Sequence, residues 1–218
     1  MATSPAARGD DLAHMAEAEA RLLDAVAGLD DQTVGSSSLL SGWTIGHLLT
    51  HLARNADSHR RRTAAAIEGV VVDQYPGGMD ERTTEIETGA GRSAAALRAD
   101  LAESSALMQE AWAVVPDHAW AGITRDATGK ERRLDELPGR RWQEVEVHLV
   151  DLGIGPTYRD WPDAFVDARL PMMRADLPSR LPVGAAAPSP GSIDARDELA
   201  WLYGRLDRSD LPVLGPWQ

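Results

Sequence analysis

Cysteine is absent from this chain of 218 residues. Disulfide bonds, thiolate metal sites and cysteine nucleophiles are therefore excluded, and any metal ion must be bound by His, Asp or Glu. The sequence also lacks a run of 18 apolar residues, and its first residues lack a basic segment followed by a long apolar one. Neither a transmembrane helix nor a secretory leader is predicted, and we expect a cytoplasmic protein.

Basic residues are fewer than acidic ones. The chain has 22 Lys and Arg against 34 Asp and Glu, which gives a formal net charge of −12. This charge argues against sequence-independent binding to nucleic acid or to anionic membranes, because both are polyanionic. We therefore expect neither partner. The length is sufficient for one substantial domain, or for a larger and a smaller one, without covalent cross-links.

Four segments have the apolar spacing of amphipathic helices. They cover residues 10–29, 44–69, 92–115 and 138–153. Four such helices with short connections predict a four-helix bundle, a fold that builds metal sites from side chains on facing helices. Residues 70–91 predict a long connection or an interrupted helix, and residues 120–134 predict two short extended pieces around Thr128 and Gly129.

Several charged residues within these helices are expected at the surface. Glu19 interrupts the apolar stripe of the first helix, and its carboxylate is expected to reach solvent rather than to bind a metal. Arg60, Arg61 and Arg62 follow one another near the end of the second helix. They are expected to form a solvated helix end, where positive charge is favourable beside the helix dipole.

The composition changes after the fourth predicted helix. The remainder is rich in Pro and Gly, and only residues 162–175 and 193–206 have a helical pattern, while the LPVL of residues 211–214 predicts a short strand. We therefore expect a bundle of residues 1–155, followed by a small C-terminal α/β appendage of residues 156–218. The fold class predicted for the whole chain is mainly α.

The fourth predicted helix carries a polar strip in an unusual place. At about 100° per residue, Glu144, His148 and Asp151 fall on one narrow face between two apolar surfaces. Such a face is expected to point into the protein, where unpaired polar groups are costly. Glu and His four residues apart can both reach one divalent ion. A buried hydrogen bond from His148 to Glu144, without an ion, explains the pattern equally well.

The second predicted helix adds a pair of histidines. His47 and His51 lie one turn apart on the edge of its apolar stripe. This spacing is known from metal sites, but two hydrogen-bonded histidines at the edge of a core have the same pattern. Together with Glu144 and His148, either histidine completes a set of two imidazoles and a carboxylate, which leaves a coordination position open as in catalytic sites. Zinc is the leading candidate by ligand type, and iron, nickel and manganese stay open.

Three blocks of the sequence resemble the mycothiol-dependent maleylpyruvate isomerases, which are members of the DinB-like metal-binding four-helix bundles. The blocks are SGWTIGHLLTHLARNADSHRR, WQEVEVHLVDLG and the later AWLYGR. The resemblance implies that the metal ligands are His51, Glu144 and His148. It also implies that His47 has a structural role, a choice that the residues alone do not make.

Three further side chains are expected at the same site. Asp151 lies one turn beyond His148, where a carboxylate can orient a ligand or hold a water molecule. It is also expected to be catalytic, since Asp151 or a bound water could transfer a proton. Arg205, the arginine of WLYGR, matches a position that is implicated in the active site of the family, and it is expected to take part in catalysis and to bind the thiol cofactor. Arg82 is expected to face the same cavity as a further catalytic residue.

The resemblance implies an enzyme that uses mycothiol as a thiol co-substrate together with a divalent metal ion, with Zn²⁺ favoured. The implied reaction is the cis–trans isomerisation of maleylpyruvate by a metal-activated thiolate. Its second partner is then a small electrophile that bears carboxylates, which Arg205 and Arg82 would hold. We expect the protein to be a monomer or a weak homodimer.

Residues 157–192 depart from the pattern of the family. They are short and rich in Pro, whereas members usually have a larger α/β C-terminal domain with several strands. This departure favours one alternative function, that of a mycothiol S-transferase or S-conjugate-processing enzyme that acts on another electrophile. A further alternative, from a different class, is a non-catalytic module that binds a metal or another ligand.

Overall fold

The computed structural model describes residues 4–189 and 191–215 of a mainly helical protein, as predicted. Its helices are α1 (Pro5–Val26), α2 (Asp31–Val34), α3 (Ile45–Ile67), α4 (Gly78–Ala90), α5 (Ala94–Ala113), α6 (Leu137–Asp151), α7 (Asp163–Arg180) and α8 (Ala195–Leu202). The chain divides into two compact units, Met1–Leu152 and Gly153–Gln218. Within the described residues, none of the helices combines the length and the apolar character needed to cross a lipid bilayer.

The first unit is built around the four predicted long helices. Helix α3 packs most extensively against α5, and α1 packs against α6. Each helix contributes apolar side chains that are fully or almost fully buried; examples are Leu22, Leu52, Leu101 and Val145. Ser4, Thr44 and Ser93 accept hydrogen bonds from the first turns of α1, α3 and α5, and such caps define where a helix begins.

Helix α4 forms where the sequence predicted a long connection or an interrupted helix. Only Ile86 and Ala90 are buried on it, so its apolar stripe is too short to be recognised. The helix lies very close to α3, because a Cβ atom at Gly46 would overlap the carbonyl oxygen of Ala90, and a Cβ atom at Gly89 would come within 2.5 Å of the Thr50 methyl group. Two glycines therefore bring α4 against α3.

A short hairpin precedes α6, as predicted. Strand β1 (Ile123–Arg125) pairs in antiparallel register with β2 (Glu131–Arg133). The turn between them is closed by a hydrogen bond from the backbone N–H of Asp126 to the carbonyl of Lys130, at 2.9 Å. Gly129 has a φ of 80° in this turn, a conformation that glycine adopts without steric strain.

A buried ion pair crosses the interior of the bundle. Arg141 donates from Nε to Glu19 Oε1 at 2.6 Å, and both side chains are at most 1% exposed. Ser105 donates to the second oxygen of Glu19, and Arg141 also donates to the Leu52 carbonyl and to Asn55 Oδ1. The expectation that Glu19 reaches solvent is therefore wrong. The carboxylate can be buried because Arg141, which lies far along the chain, offsets the free-energy cost of removing its charge from water.

Arg62 is buried as well, and the prediction that it belongs to a solvated helix end is corrected. Its guanidinium donates to the carbonyl of Ser58 and to Nδ1 of His59. The ring of His59 meets the edge of Trp112 with a centroid distance of 5.4 Å. Burial and the neighbouring charge of Arg62 lower the pKa of His59 well below its usual value.

The second unit has a core formed by α7, α8 and the residues that flank them. Trp161, Phe165 and Tyr203 are buried there with their rings in contact. The described part of this unit is helical and contains no strand, so the short strand predicted at residues 211–214 and the α/β character derived from it are corrected. The backbone of this segment makes isolated hydrogen bonds instead of pairing with another strand. For example, the indole N–H of Trp201 donates to the carbonyl of Pro212.

Candidate metal centre

Three potential ligands from two helices meet inside the first unit. Helix α3 contributes His51, and α6 contributes Glu144 and His148. Glu144 Oε2 lies 3.2 Å from Nε2 of His51 and 3.4 Å from Nε2 of His148, and one donor atom from each residue lies within 4.8 Å of the other two. The three residues predicted as metal ligands are therefore neighbours in space. We refer to them below as the triad.

The second ring nitrogen of His148 is bonded to a carboxylate. Nδ1 lies 2.8 Å from Oδ2 of Asp151, which is 1% exposed. Since the carboxylate of Asp151 accepts, Nδ1 carries a proton, and Nε2 is the nitrogen that faces Glu144 in the triad. Burial lowers the pKa of His148, but the hydrogen bonds to Asp151 and Glu144 outweigh burial and raise it above the usual value.

The electrostatics of the triad suit a cation. Burial raises the pKa of Glu144, but its hydrogen bonds to His148 and His51 outweigh that effect and hold the pKa well below the usual value. Burial lowers the pKa of His51 to about 4 against the opposing effect of Glu144. At neutral pH the triad therefore offers a carboxylate and a neutral imidazole. Two nitrogens and one oxygen are a donor set that divalent transition metals accept.

Arg82 reaches the triad from α4. Its Nη2 lies 3.1 Å from Nδ1 of His51. The guanidinium also lies over the rings of Trp43 and Tyr75, at 5.8 Å from each centroid. The structure thus places Arg82 beside His51, and its role in catalysis stays a prediction. The aromatic pair was not predicted, although the Trp of SGWT and the Tyr of YPGG both stand next to glycine-rich turns that flank the helices involved.

His47 lies outside the triad and stabilises the start of α3. Its Nδ1 accepts a hydrogen bond from the backbone N–H of Thr44 at 3.1 Å, while the Thr44 hydroxyl accepts one from the backbone N–H of His47. This reciprocal pair is a capping box. Nε2 of His47 faces Glu87 at 3.4 Å. The ring is therefore occupied with partners other than the triad.

Arg205 belongs to the second unit, where it follows α8. Its Nη1 donates to the carbonyl of Tyr203 at 2.6 Å. Together with Arg180 and Trp201, it lines a cavity of about 410 Å³ within that unit. A role of Arg205 in catalysis or in thiol binding stays a prediction.

Residues 15–153 match the family model of the mycothiol maleylpyruvate isomerase N-terminal domain. The match extends over well more than half of the chain and includes the whole triad. The chain belongs to this family. No curated protein sequence matches it.

Two solved structures have the same fold as this family member. One is a mycothiol-dependent maleylpyruvate isomerase, with a TM-score of 0.84 and 24% sequence identity over 96% of this chain and 97% of the other. The second is a histidine-to-alanine mutant of a mycothiol-dependent maleylpyruvate isomerase, with a TM-score of 0.85 and 22% identity at the same coverage. Residues 157–192 were expected to be shorter than the corresponding region of the family. Because nearly the full length of both chains is matched, this chain is not shortened relative to these two structures.

Proposed function

We propose that this protein is a metal-dependent and mycothiol-dependent isomerase of the maleylpyruvate type. The observation that carries the proposal is the convergence of His51, Glu144 and His148 on one point within the segment that matches the family. The side chain of Glu144 is 26% exposed, whereas those of His51 and His148 are 6% and 10% exposed. The triad is thus largely buried, and Glu144 is its most exposed member.

The triad would hold the metal ion, with zinc favoured by its ligands. When bound, the ion supplies a Lewis acid that lowers the pKa of a thiol beside it. Mycothiol would supply a thiol that adds reversibly to the cis double bond of the substrate and leaves after rotation. The protein contributes a low-pKa carboxylate in Glu144 and a ring orientation in His148 that Asp151 maintains.

The substrate carboxylates would be bound by arginines, because a guanidinium matches a carboxylate with two parallel hydrogen bonds. Arg82 is the first candidate, since it contacts His51 directly. Arg205 is the second, through the match of WLYGR to the family pattern. An arginine beside the reacting carbons also stabilises negative charge that develops on the substrate during addition.

The proposal is tested by incubating the zinc-loaded protein with mycothiol and maleylpyruvate. Fumarylpyruvate should form without net loss of free thiol, and it should not form when mycothiol is omitted or when Glu144→Gln replaces the wild type. The absence of turnover from protein with full metal occupancy would refute the proposal.

The same assay separates the other functions that the sequence leaves open. A mycothiol S-transferase or S-conjugate-processing enzyme would consume thiol in proportion to a second electrophile, such as a haloalkane or an epoxide. A non-catalytic module would bind zinc without turnover of either substrate. Either result would replace the isomerase assignment.

A further inference from the structure

The hydrogen bond between Arg82 and His51 determines where the imidazole proton lies. A guanidinium has only donors, so Nδ1 of His51 must accept from Nη2 of Arg82 across 3.1 Å. The proton of the neutral ring is then on Nε2, from which it points at Glu144 Oε2 at 3.2 Å. In this arrangement both ring nitrogens of His51 are occupied with partners from the protein.

Coordination of a metal through Nε2 requires the opposite tautomer. Nε2 must then present its lone pair, so that the neutral ring carries its proton on Nδ1. An Nδ1–H and a guanidinium N–H are both donors, and they repel each other at hydrogen-bonding distance. His148 differs in this respect, because Asp151 accepts from Nδ1, so that Nε2 can bind a metal while Nδ1 keeps its proton. Only His51 must change its tautomer on coordination.

We infer that Arg82 is a substrate-binding residue whose guanidinium has two alternative positions: it is bound to Nδ1 of His51 while the triad holds no metal, and it is released from His51 when a metal binds. The inference rests on the proposed function, because it assumes that the triad is the metal site. It deepens that proposal, since the released guanidinium has free donors for a carboxylate of the substrate. The Nη2 donor that His51 accepts is therefore available to an anionic substrate only in the metal-loaded protein.

The surroundings of Arg82 keep the released side chain near the triad. Its guanidinium lies 5.8 Å from the ring centroids of both Trp43 and Tyr75, within the range of a cation–π interaction. The ring of Trp43 also meets His51 edge-on at a centroid distance of 5.7 Å. Both aromatic rings can therefore keep the guanidinium beside the triad after it leaves Nδ1 of His51.

The tautomers are observed directly by long-range ¹H–¹⁵N NMR of protein with ¹⁵N-labelled histidine. His51 should carry its proton on Nε2 in the metal-free protein and on Nδ1 after zinc is added, while His148 should carry it on Nδ1 in both states. The His51→Gln variant assigns the signals. A proton on Nδ1 of His51 in the metal-free wild type would overturn the inference.

Metal affinity provides a second readout. Arg82→Met removes the competing donor, so zinc should bind roughly tenfold more tightly than to the wild type, as expected for the loss of one charge-assisted hydrogen bond. Arg140→Met is the matched control, because it removes a positive charge that acts on Glu144 without contacting His51. Equal tightening in both variants, or none in Arg82→Met, would overturn the inference.

The substrate side is tested with maleate as the probe. Zinc-loaded wild type and Arg140→Met should bind maleate equally, and Arg82→Met should bind it at least about tenfold more weakly, as expected for a lost bidentate contact. The two levels of failure remain distinct. A wild type that takes up no zinc at the triad refutes the proposed function, whereas normal zinc uptake with no effect of Arg82→Met refutes only the inference.

Discussion

Oδ2 of Asp151 lies 2.8 Å from Nδ1 of His148, and this contact decides which nitrogen of the ring faces the triad. Asp151 is the last residue of α6, and its own carbonyl accepts a hydrogen bond from the backbone N–H of Leu39 at 2.8 Å. The carboxylate is thereby anchored at the end of the helix that also carries Glu144 and His148. The proposed metal ligand His148 and the carboxylate that orients its ring thus belong to one turn of one helix.

Asp151→Asn is expected to reduce zinc affinity by about 10- to 100-fold, since partners that orient a histidine ligand typically contribute that much. Competition titration with a chromophoric chelator measures the effect. Glu146→Gln is the matched control, because Glu146 is a buried carboxylate on the same helix that is bonded to Arg21 and Trp142 instead. It should leave zinc affinity unchanged. Wild-type affinity in Asp151→Asn would show that the contact does not orient the ligand.

Replacement of any residue of the triad by alanine is expected to abolish binding of about one equivalent of zinc. Elemental analysis of protein purified without chelator gives the occupancy. His47→Ala serves as the control, since it removes an imidazole one turn from His51 that caps α3. It should retain the metal while lowering the free energy of unfolding by about 1 kcal/mol through the lost cap. Full occupancy in all three triad variants would disprove the ligand assignment.

Disruption of the buried pair between Glu19 and Arg141 is expected to destabilise the bundle strongly. Glu19→Ala leaves the guanidinium of Arg141 without its charged partner inside the protein, and such a change costs about 3–5 kcal/mol. Urea denaturation measures the loss. The double variant Glu19→Leu with Arg141→Met removes both charges and should recover much of the stability. If Glu19→Ala were as stable as the wild type, the pair would have no structural importance.

The pH dependence of stability is expected to reflect His59. Its pKa is lowered in the folded protein by burial and by Arg62, so the folded state stays neutral there while the unfolded chain takes up a proton below about pH 6.5. The unfolded state then binds more protons, and stability falls with falling pH, by up to about 1.4 kcal/mol per pH unit from this group.

Urea denaturation of metal-free protein between pH 7 and pH 5 tests this expectation. His59→Gln keeps an acceptor for Arg62 but does not titrate, so its stability should decrease less steeply than that of the wild type. The other histidines contribute equally to both proteins. His118→Gln, a change at an exposed position, should follow the wild-type slope, and an identical slope in His59→Gln would contradict the expectation.

The parts of the structure that depend on one element at a time were predictable from the sequence. The apolar period of the long helices is local, and the four-residue spacing of Glu144 and His148 places both on one face of α6. The choice between His47 and His51 was not predictable from the residues, because the two lie one turn apart on the same helix. Contacts outside that helix decide it, namely the Glu144 carboxylate for His51 and the side chain of Glu87 for His47.

The features that were missed depend on partners far apart in the chain. Glu19 and Arg141 are 122 residues apart, and no local pattern reveals that a carboxylate on an apolar stripe has a buried guanidinium to meet it. Helix α4 was left as one of two alternatives for a related reason, since its two buried residues, Ile86 and Ala90, form too short an apolar stripe to identify a helix without its partner α3. Arg82 was consequently expected at the site without a structural element to carry it.

Gly46 is important for the site although it is not a member of the triad, because it lets α4 pack against α3. Even alanine there would force α4 away from α3, because the added methyl group meets the backbone of Ala90. The same helix carries Arg82, so an outward shift would withdraw the guanidinium from His51. A ranking of substitutions by their distance from the triad would overlook this position. The absence of a Cβ atom at Gly46 nevertheless allows α4 to lie close enough to α3 for Arg82 to contact His51.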